Sequence, residues 1–137
     1  MNKILYHLQA NQTTCDFNVV RFFQDIYKDE FIWQVSEINY LAKEGSFNNS
    51  NIYGVSEIED MVYKQPEGII LPWNTLLFIL NSAFQFYDLV INIYYEKIKI
   101  ASFEIFDSGS IELATNNQSI IEKFNYWIEE MKQRSGK

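Results

Sequence analysis

The feature that most constrains this chain is a run of alternating apolar and polar residues from Leu89 to Thr115, interrupted by two turns. A period of two indicates β-strands with one buried face. The two turns are short enough to reverse the chain between neighbouring strands, and they lie at Glu96-Lys97 and at 107–110. The pattern predicts a meander of three antiparallel strands, with a β-bulge after Ala101, where the alternation changes phase.

Apolar residues at helical spacing, together with capping residues, predict four helices. These are 17–28 (capped by Asp16), 56–63 (capping box of Ser56 and Glu59), 73–86, and 118–133 (capping box of Ser119 and Glu122). Strands are predicted at 31–41 and 69–71, and a loop at 45–51. The expected fold is a single α+β domain over residues 1–137. It has an antiparallel sheet of about four or five strands, with helices packed mainly on one face.

The composition fits a domain that needs no covalent or metal support. Of the 137 residues, 47% are hydrophobic and 17% aromatic, which excludes a disordered chain. The one cysteine, Cys15, excludes an intramolecular disulfide and fits a reducing compartment, so we expect a cytoplasmic protein. The longest apolar stretch, 69–80, is too short to cross a bilayer.

The charge excludes two classes of partner. Eighteen acidic and eleven basic residues give a net charge of −7. A nucleic-acid binder needs a basic surface to neutralise phosphates, and so does a protein that docks on an anionic membrane. We therefore expect neither nucleic acid nor membrane as a partner.

Residues that carry common enzyme chemistry are scarce. His7 is the single histidine and lies near Cys15, which leaves too few ligands for a zinc site. The five glycines form no phosphate-binding loop. Glu57, Glu59 and Asp60 are interpreted as the charged start of a helix rather than as a hydrolytic pair or calcium site. We expect no enzyme activity, no metal and no cofactor.

The acidic residues are concentrated in one segment. Residues 22–68 contain nine acids and three bases, a net charge of −6, whereas the rest of the chain has a net charge of −1. Aromatic residues are interleaved with these acids, including Trp33, Tyr53 and Tyr63. Carboxylates steer encounters with a basic protein, and aromatic rings anchor the contact. The alternative is that the charge serves solubility alone.

Trp33 and Trp73 are candidates to contact a partner, whereas Trp127 lies on the apolar stripe of the last helix and is expected in the core.

In length, acidity, aromatic content and lack of catalytic motifs, the chain resembles the small immunity proteins of bacterial contact-dependent growth inhibition and other polymorphic toxin systems. The resemblance implies that it binds a cognate toxin domain, often a basic nuclease, and blocks its active site. The monomer is the favoured state. The residues expected to contact the toxin are Asp29, Glu30, Trp33, Glu37, Tyr53, Glu57, Glu59 and Asp60.

Two other functions remain open. The first is a small-ligand-binding or regulatory domain with a pocket between the sheet and its covering helix. The rings that would line this pocket are Tyr87, Tyr94, Tyr95, Phe103 and Phe106. The second is an enzyme that uses carboxylates alone.

Overall fold

The computed structural model describes residues 1–42 and 55–135 of the chain. Within these residues the chain forms six β-strands, four α-helices and a 3₁₀ turn, which confirms the α+β class. In chain order the elements are β1 (Asn2–His7), the 3₁₀ turn (Thr14–Asp16), α1 (Val19–Ile26), β2 (Ile32–Ala42), α2 (Val55–Lys64), β3 (Ile69–Leu71), α3 (Trp73–Ser82), β4 (Ala83–Tyr95), β5 (Ile98–Phe106), β6 (Ser110–Thr115) and α4 (Gln118–Ser135). The predicted loop at 45–51 lies outside the described residues.

The strands form one antiparallel sheet in the order β1-β6-β5-β4-β2-β3. Its β4-β5-β6 portion is the predicted meander. Glu96 and Lys97 both adopt positive φ angles, 50° and 68°, as a tight two-residue turn requires. A bulge is present in β5, but it lies just before Ala101 and not after it as predicted: Ile93 pairs with Ala101 while Tyr94 pairs with Lys99, which leaves Ile100 as the extra residue.

The sheet has six strands and not the four or five expected from the sequence, because β1 is an additional strand that pairs with β6 along its whole length. The sequence pattern hides this strand. Ile4 and Tyr6 are half-buried, but Leu5 between them is apolar and 52% exposed, so the alternation is blurred. Edge strands with partial burial often lack a clear period.

One face of the sheet is covered by α1, α3 and α4, as predicted. Trp127 of α4 donates its indole N–H to Asp25 of α1 at 2.7 Å, which ties these two helices together. Five phenylalanine rings meet between helices and sheet, with neighbouring centroids 5.1–6.4 Å apart. They are Phe17, Phe22, Phe23, Phe103 and Phe124. These rings fill the centre of the core.

The opposite face of the sheet is not covered by α1, α3 or α4, and we call it the open face. It carries Glu104 and Glu112, which are directly opposite each other on β5 and β6. On β4 and β2 it carries polar residues such as Asn92 and Gln34, which also pair.

A bulge in β2 decides which side chains face the helices. Val35 pairs with Ile91 and Glu37 pairs with Val90, so Ser36 is an extra residue. Strict alternation would place Glu37 on the same face as Val35, in the core. The extra residue keeps Glu37 on the open face.

The third helix is shorter than the predicted 73–86. It ends at Ser82, and the chain continues directly as β4, where Gln85 pairs with Leu41 and Phe86 with Tyr40. Apolar residues on all sides of this stretch give no period, so the helix end was set by pairing with β2 rather than by local pattern.

Two predicted helix caps are each wrong by two residues. Asn18, not Asp16, accepts the Arg21 backbone N–H at 3.1 Å and caps α1. Asn117, not Ser119, accepts the Ile120 backbone N–H at 3.1 Å at the start of α4. Asn is as good a cap as Asp or Ser, and a sequence that offers several candidates leaves the choice to packing.

The turn after α2 depends on glycine. Gly68 has a φ of +95°, and a Cβ at this position would lie 2.9 Å from the Val35 carbonyl oxygen. The close approach lets β3 pair beside β2, from Val35 to Trp33. The capping box predicted at the start of α2 depends on the Ser56 side chain, which lies outside the described residues.

Among the helices in the described part of the chain, none has the length and apolar character required to span a bilayer.

Replacing Phe103 tests the importance of the ring cluster. Phe103→Ala is expected to lower the free energy of unfolding by roughly 3–5 kcal/mol, because a fully buried ring leaves a cavity. Phe106, on the same strand, is 61% exposed, and Phe106→Ala should cost under about 1 kcal/mol. Urea denaturation of both variants measures the difference. Equal losses would contradict the position of the core.

Candidate functional site

A groove of about 680 Å³ lies between α2 and the adjacent part of β2. Four carboxylates line it, and we call it the acidic groove: Glu37, Glu59, Asp60 and Asp88. Among its described lining residues there is no lysine or arginine. Lys64 pairs with Asp60 at 3.8 Å, but both side chains are more than two-thirds exposed, so water screens this pair.

Three elements bring these carboxylates together. Helix α2 buries Ile58 and Val62, four residues apart, and this places Glu59 and Asp60 beside β2. The bulge at Ser36 directs Glu37 away from the core.

Asp88 reaches the groove from β4 because it pairs with Asn39 of β2. Its Oδ1 accepts the backbone N–H of Asp107 at 2.8 Å, which anchors the carboxylate to the β5–β6 turn.

Partial burial changes the properties of the groove. Burial raises the pKa of Glu59 above its usual value. Burial and, to a smaller extent, the charge of Glu59 raise the pKa of Tyr40. The Tyr40 hydroxyl is buried and has no hydrogen-bond partner among the described residues. A carboxylate that has lost solvation interacts more strongly with a cation than an exposed carboxylate does.

The negative charge continues from the groove across the open face. Burial raises the pKa of Glu104, and the carboxylates of Glu112, Glu37 and Asp88 raise it further, whereas Lys3 lowers it. Lys3 lies 3.8 Å from Glu112 and is largely exposed. Like charges opposite each other on neighbouring strands destabilise a sheet, so this arrangement is costly for folding.

Beside these carboxylates the open face is polar and internally hydrogen-bonded. The Asn92 side-chain amide donates to Gln34 Oε1 at 3.2 Å and lies 3.4 Å from the Ser36 hydroxyl. The Tyr94 hydroxyl donates to the same Gln34 oxygen at 3.3 Å. The face therefore offers a polar, negatively charged surface next to the groove.

The structure brings together three of the residues predicted to contact a partner: Glu37, Glu59 and Asp60. It adds Asp88, which lies outside the acidic segment 22–68 and reaches the groove only through strand pairing. Glu57 belongs to α2, but its side chain, like all of Tyr53, lies outside the described residues.

The prediction that Trp33 contacts a partner is wrong. Its side chain is 2% exposed, so it does not offer a contact surface. It shares the buried face of β2 with Val35 and packs against Phe23 at 5.9 Å and Trp73 at 5.1 Å. Asp29 and Glu30 are exposed just before β2 and do not line the groove.

The five rings expected around a ligand pocket do not converge. Phe103 is buried in the core beneath the helices, whereas Tyr94 lies on the open face. Tyr95 and Phe106 are 40% and 61% exposed. These rings are divided between the two sides of the sheet.

Within residues 1–42 and 55–135, no three histidine, cysteine, aspartate or glutamate side chains are arranged to hold a metal ion. His7 and Cys15 are both exposed.

Comparison with known proteins gives no relative: no protein-family model matches the chain, and neither a curated protein nor a solved structure is significantly similar to it.

The pKa of Glu104 predicts how stability changes with pH. The pKa of Glu104 is higher in the folded protein than its usual value of 4.5, so the folded state favours the protonated side chain. As the pH rises from about 4.5 through the raised pKa, Glu104 ionises and the free energy of unfolding falls. Relative to the wild type, Glu104→Gln should therefore gain stability over this range. Solvent screening limits the gain to roughly 0.5 kcal/mol at pH 7.

Urea denaturation at several pH values checks this expectation, with Glu67→Gln as the control, since Glu67 is exposed in the turn before β3. A difference between Glu104→Gln and wild type that is independent of pH, or equal to that of the control, would contradict it.

Proposed function

We propose that this protein is an immunity protein that binds the basic domain of a cognate bacterial toxin and blocks its active site. The observation that carries the proposal is the acidic groove, in which four carboxylates line one surface and no base is among the described lining residues. The toxin domain in this proposal is a nuclease, since an active site that binds phosphates is basic. The protein would act as a monomer in the cytoplasm.

The mechanism needs no chemical step. Carboxylates of the groove and of the open face attract the toxin and take the positions that substrate phosphates would otherwise occupy. Tyr63, 86% exposed beside the groove, supplies an aromatic contact of the kind that anchors protein interfaces. Occupation of the cleft excludes the substrate.

The alternative of a small-ligand domain has less support, because the rings that would form its pocket lie on different sides of the sheet. The immunity function, by contrast, accounts for the pairing of Glu104 with Glu112. The repulsion between these carboxylates destabilises the free protein, and a basic partner surface would neutralise both charges.

The test uses the C-terminal domain of the protein encoded immediately upstream, and measures complex formation and rescue of growth. The variant Glu37→Gln/Glu59→Gln/Asp60→Asn should slow association about tenfold at low salt, and the difference should shrink as salt rises. Surface plasmon resonance at several salt concentrations measures this.

The matched control is Glu96→Gln/Glu122→Gln/Glu129→Gln, which changes the net charge equally at exposed positions away from the groove. It should leave association nearly unchanged. Equal effects of the two variants would show that total charge, not the groove, directs binding. Absence of both complex and rescue would overturn the immunity function.

A further inference from the structure

A second cleft, of about 370 Å³, lies where β2 begins. Its walls are aromatic and apolar, and we call it the aromatic cleft. The lining residues that matter here are Tyr27, Asp29, Trp33, Ile70, Pro72 and Trp73. Ile70 is 67% exposed and Tyr27 is 37% exposed, so the cleft is open to a partner.

Its rings are held in a fixed arrangement. Tyr27 and Trp73 are stacked, with centroids 4.5 Å apart and planes inclined by 24°. The buried Trp33 packs against both, 6.4 Å from Tyr27 and 5.1 Å from Trp73. Trp33, predicted as a contact residue, instead supports the two rings that are accessible. A rigid aromatic surface loses little entropy when a partner binds.

Asp29 adds a negative charge at the edge of these rings. Among the described lining residues, it is the one with a charged side chain. The Tyr27 hydroxyl donates a hydrogen bond to Asp29 Oδ1, which holds the carboxylate next to the stack. Nearby, the ammonium group of Lys28 lies 6.0 Å from the centre of the Phe31 ring, at the outer limit of a cation–π contact.

We propose that the aromatic cleft receives an arginine side chain of the toxin domain. A planar guanidinium stacks on aromatic rings and pairs with a carboxylate through parallel hydrogen bonds, and its aliphatic stem is suited to contact with Ile70 and Pro72. An apolar side chain would bury the charge of Asp29 with the Tyr27 hydroxyl as its hydrogen-bond donor but without a cation to neutralise it. A second copy of this chain, with a net charge of −7, would be repelled.

The inference rests on the proposed function, because it assigns a contact to the same basic partner. The cleft and the acidic groove both lie along β2, at Ile32 and at Glu37. Five residues of strand separate these positions by roughly 17 Å. An ordinary interface, which buries about 800 Å² on each partner, spans this distance.

The test uses peptides instead of the toxin, so that its failure is distinct from failure of the immunity function. The probes are blocked glycine-flanked peptides with a central arginine, lysine or citrulline; citrulline keeps the shape of arginine but lacks its charge. Two-dimensional NMR follows the indole N–H signals of Trp33, Trp73 and Trp127. Trp127 is the internal control, since its N–H is bonded to Asp25.

The arginine peptide should shift the Trp73 signal and leave that of Trp127 unchanged, and should bind about fivefold more tightly than the citrulline peptide. Asp29→Asn should weaken the arginine peptide about tenfold. Glu30→Gln, which removes the same charge one residue outside the lining, should change its affinity less than about twofold.

Three results would overturn the proposal: no shift at Trp73 up to the solubility limit of the arginine peptide, equal binding of the citrulline peptide, or equal effects of Asp29→Asn and Glu30→Gln. The last result would mean that the arginine responds to the general negative field and not to the cleft. In each case the co-purification and growth test of the immunity function is unaffected.

Discussion

The antiparallel pairing of β2 with β4 is the interaction on which the rest of the molecule depends. The extra residue at Ser36 lets Val35 and Ile38 both face the helices, while Glu37 between them faces outward. The same pairing places Asp88 beside β2. The core and the acidic groove are therefore two results of one register. A shift by one residue would bury a carboxylate and expose the apolar residues that hold the helices.

The parts of the fold that could be predicted from sequence are those in which burial is one-sided and local. The meander and α4 each show a clear period because one face of the element meets the core and the other meets water. The strand β1 and the end of α3 lack this contrast. At β1 the outward Leu5 is apolar, and at Ser82 the helix gives way to a strand because distant residues offer pairing.

In the candidate site, too, some residues could be predicted from the local sequence and others could not. Glu37, Glu59 and Asp60 could be found because acidic residues are concentrated in their segment. Asp88 and Glu104 could not, since they join that surface through strand pairing that no local pattern encodes. The error at Trp33 has a related cause: a strand has two faces, and its alternation does not say which one the helices cover. The accessible rings beside Asp29 are those of Tyr27 and Trp73, which come from segments on either side of β2 in sequence.

The position of β1 has a consequence for how the chain folds. The meander joins neighbours in sequence, but β1 pairs with β6, more than one hundred residues away. Closing so large a loop is entropically expensive, and contacts of high sequence separation slow folding. During synthesis β1 leaves the ribosome more than one hundred residues before its partner strand β6. Once β6 has formed, its outer edge stays open until β1 pairs with it, and in that interval β1 of the same chain competes with strands of other nascent chains.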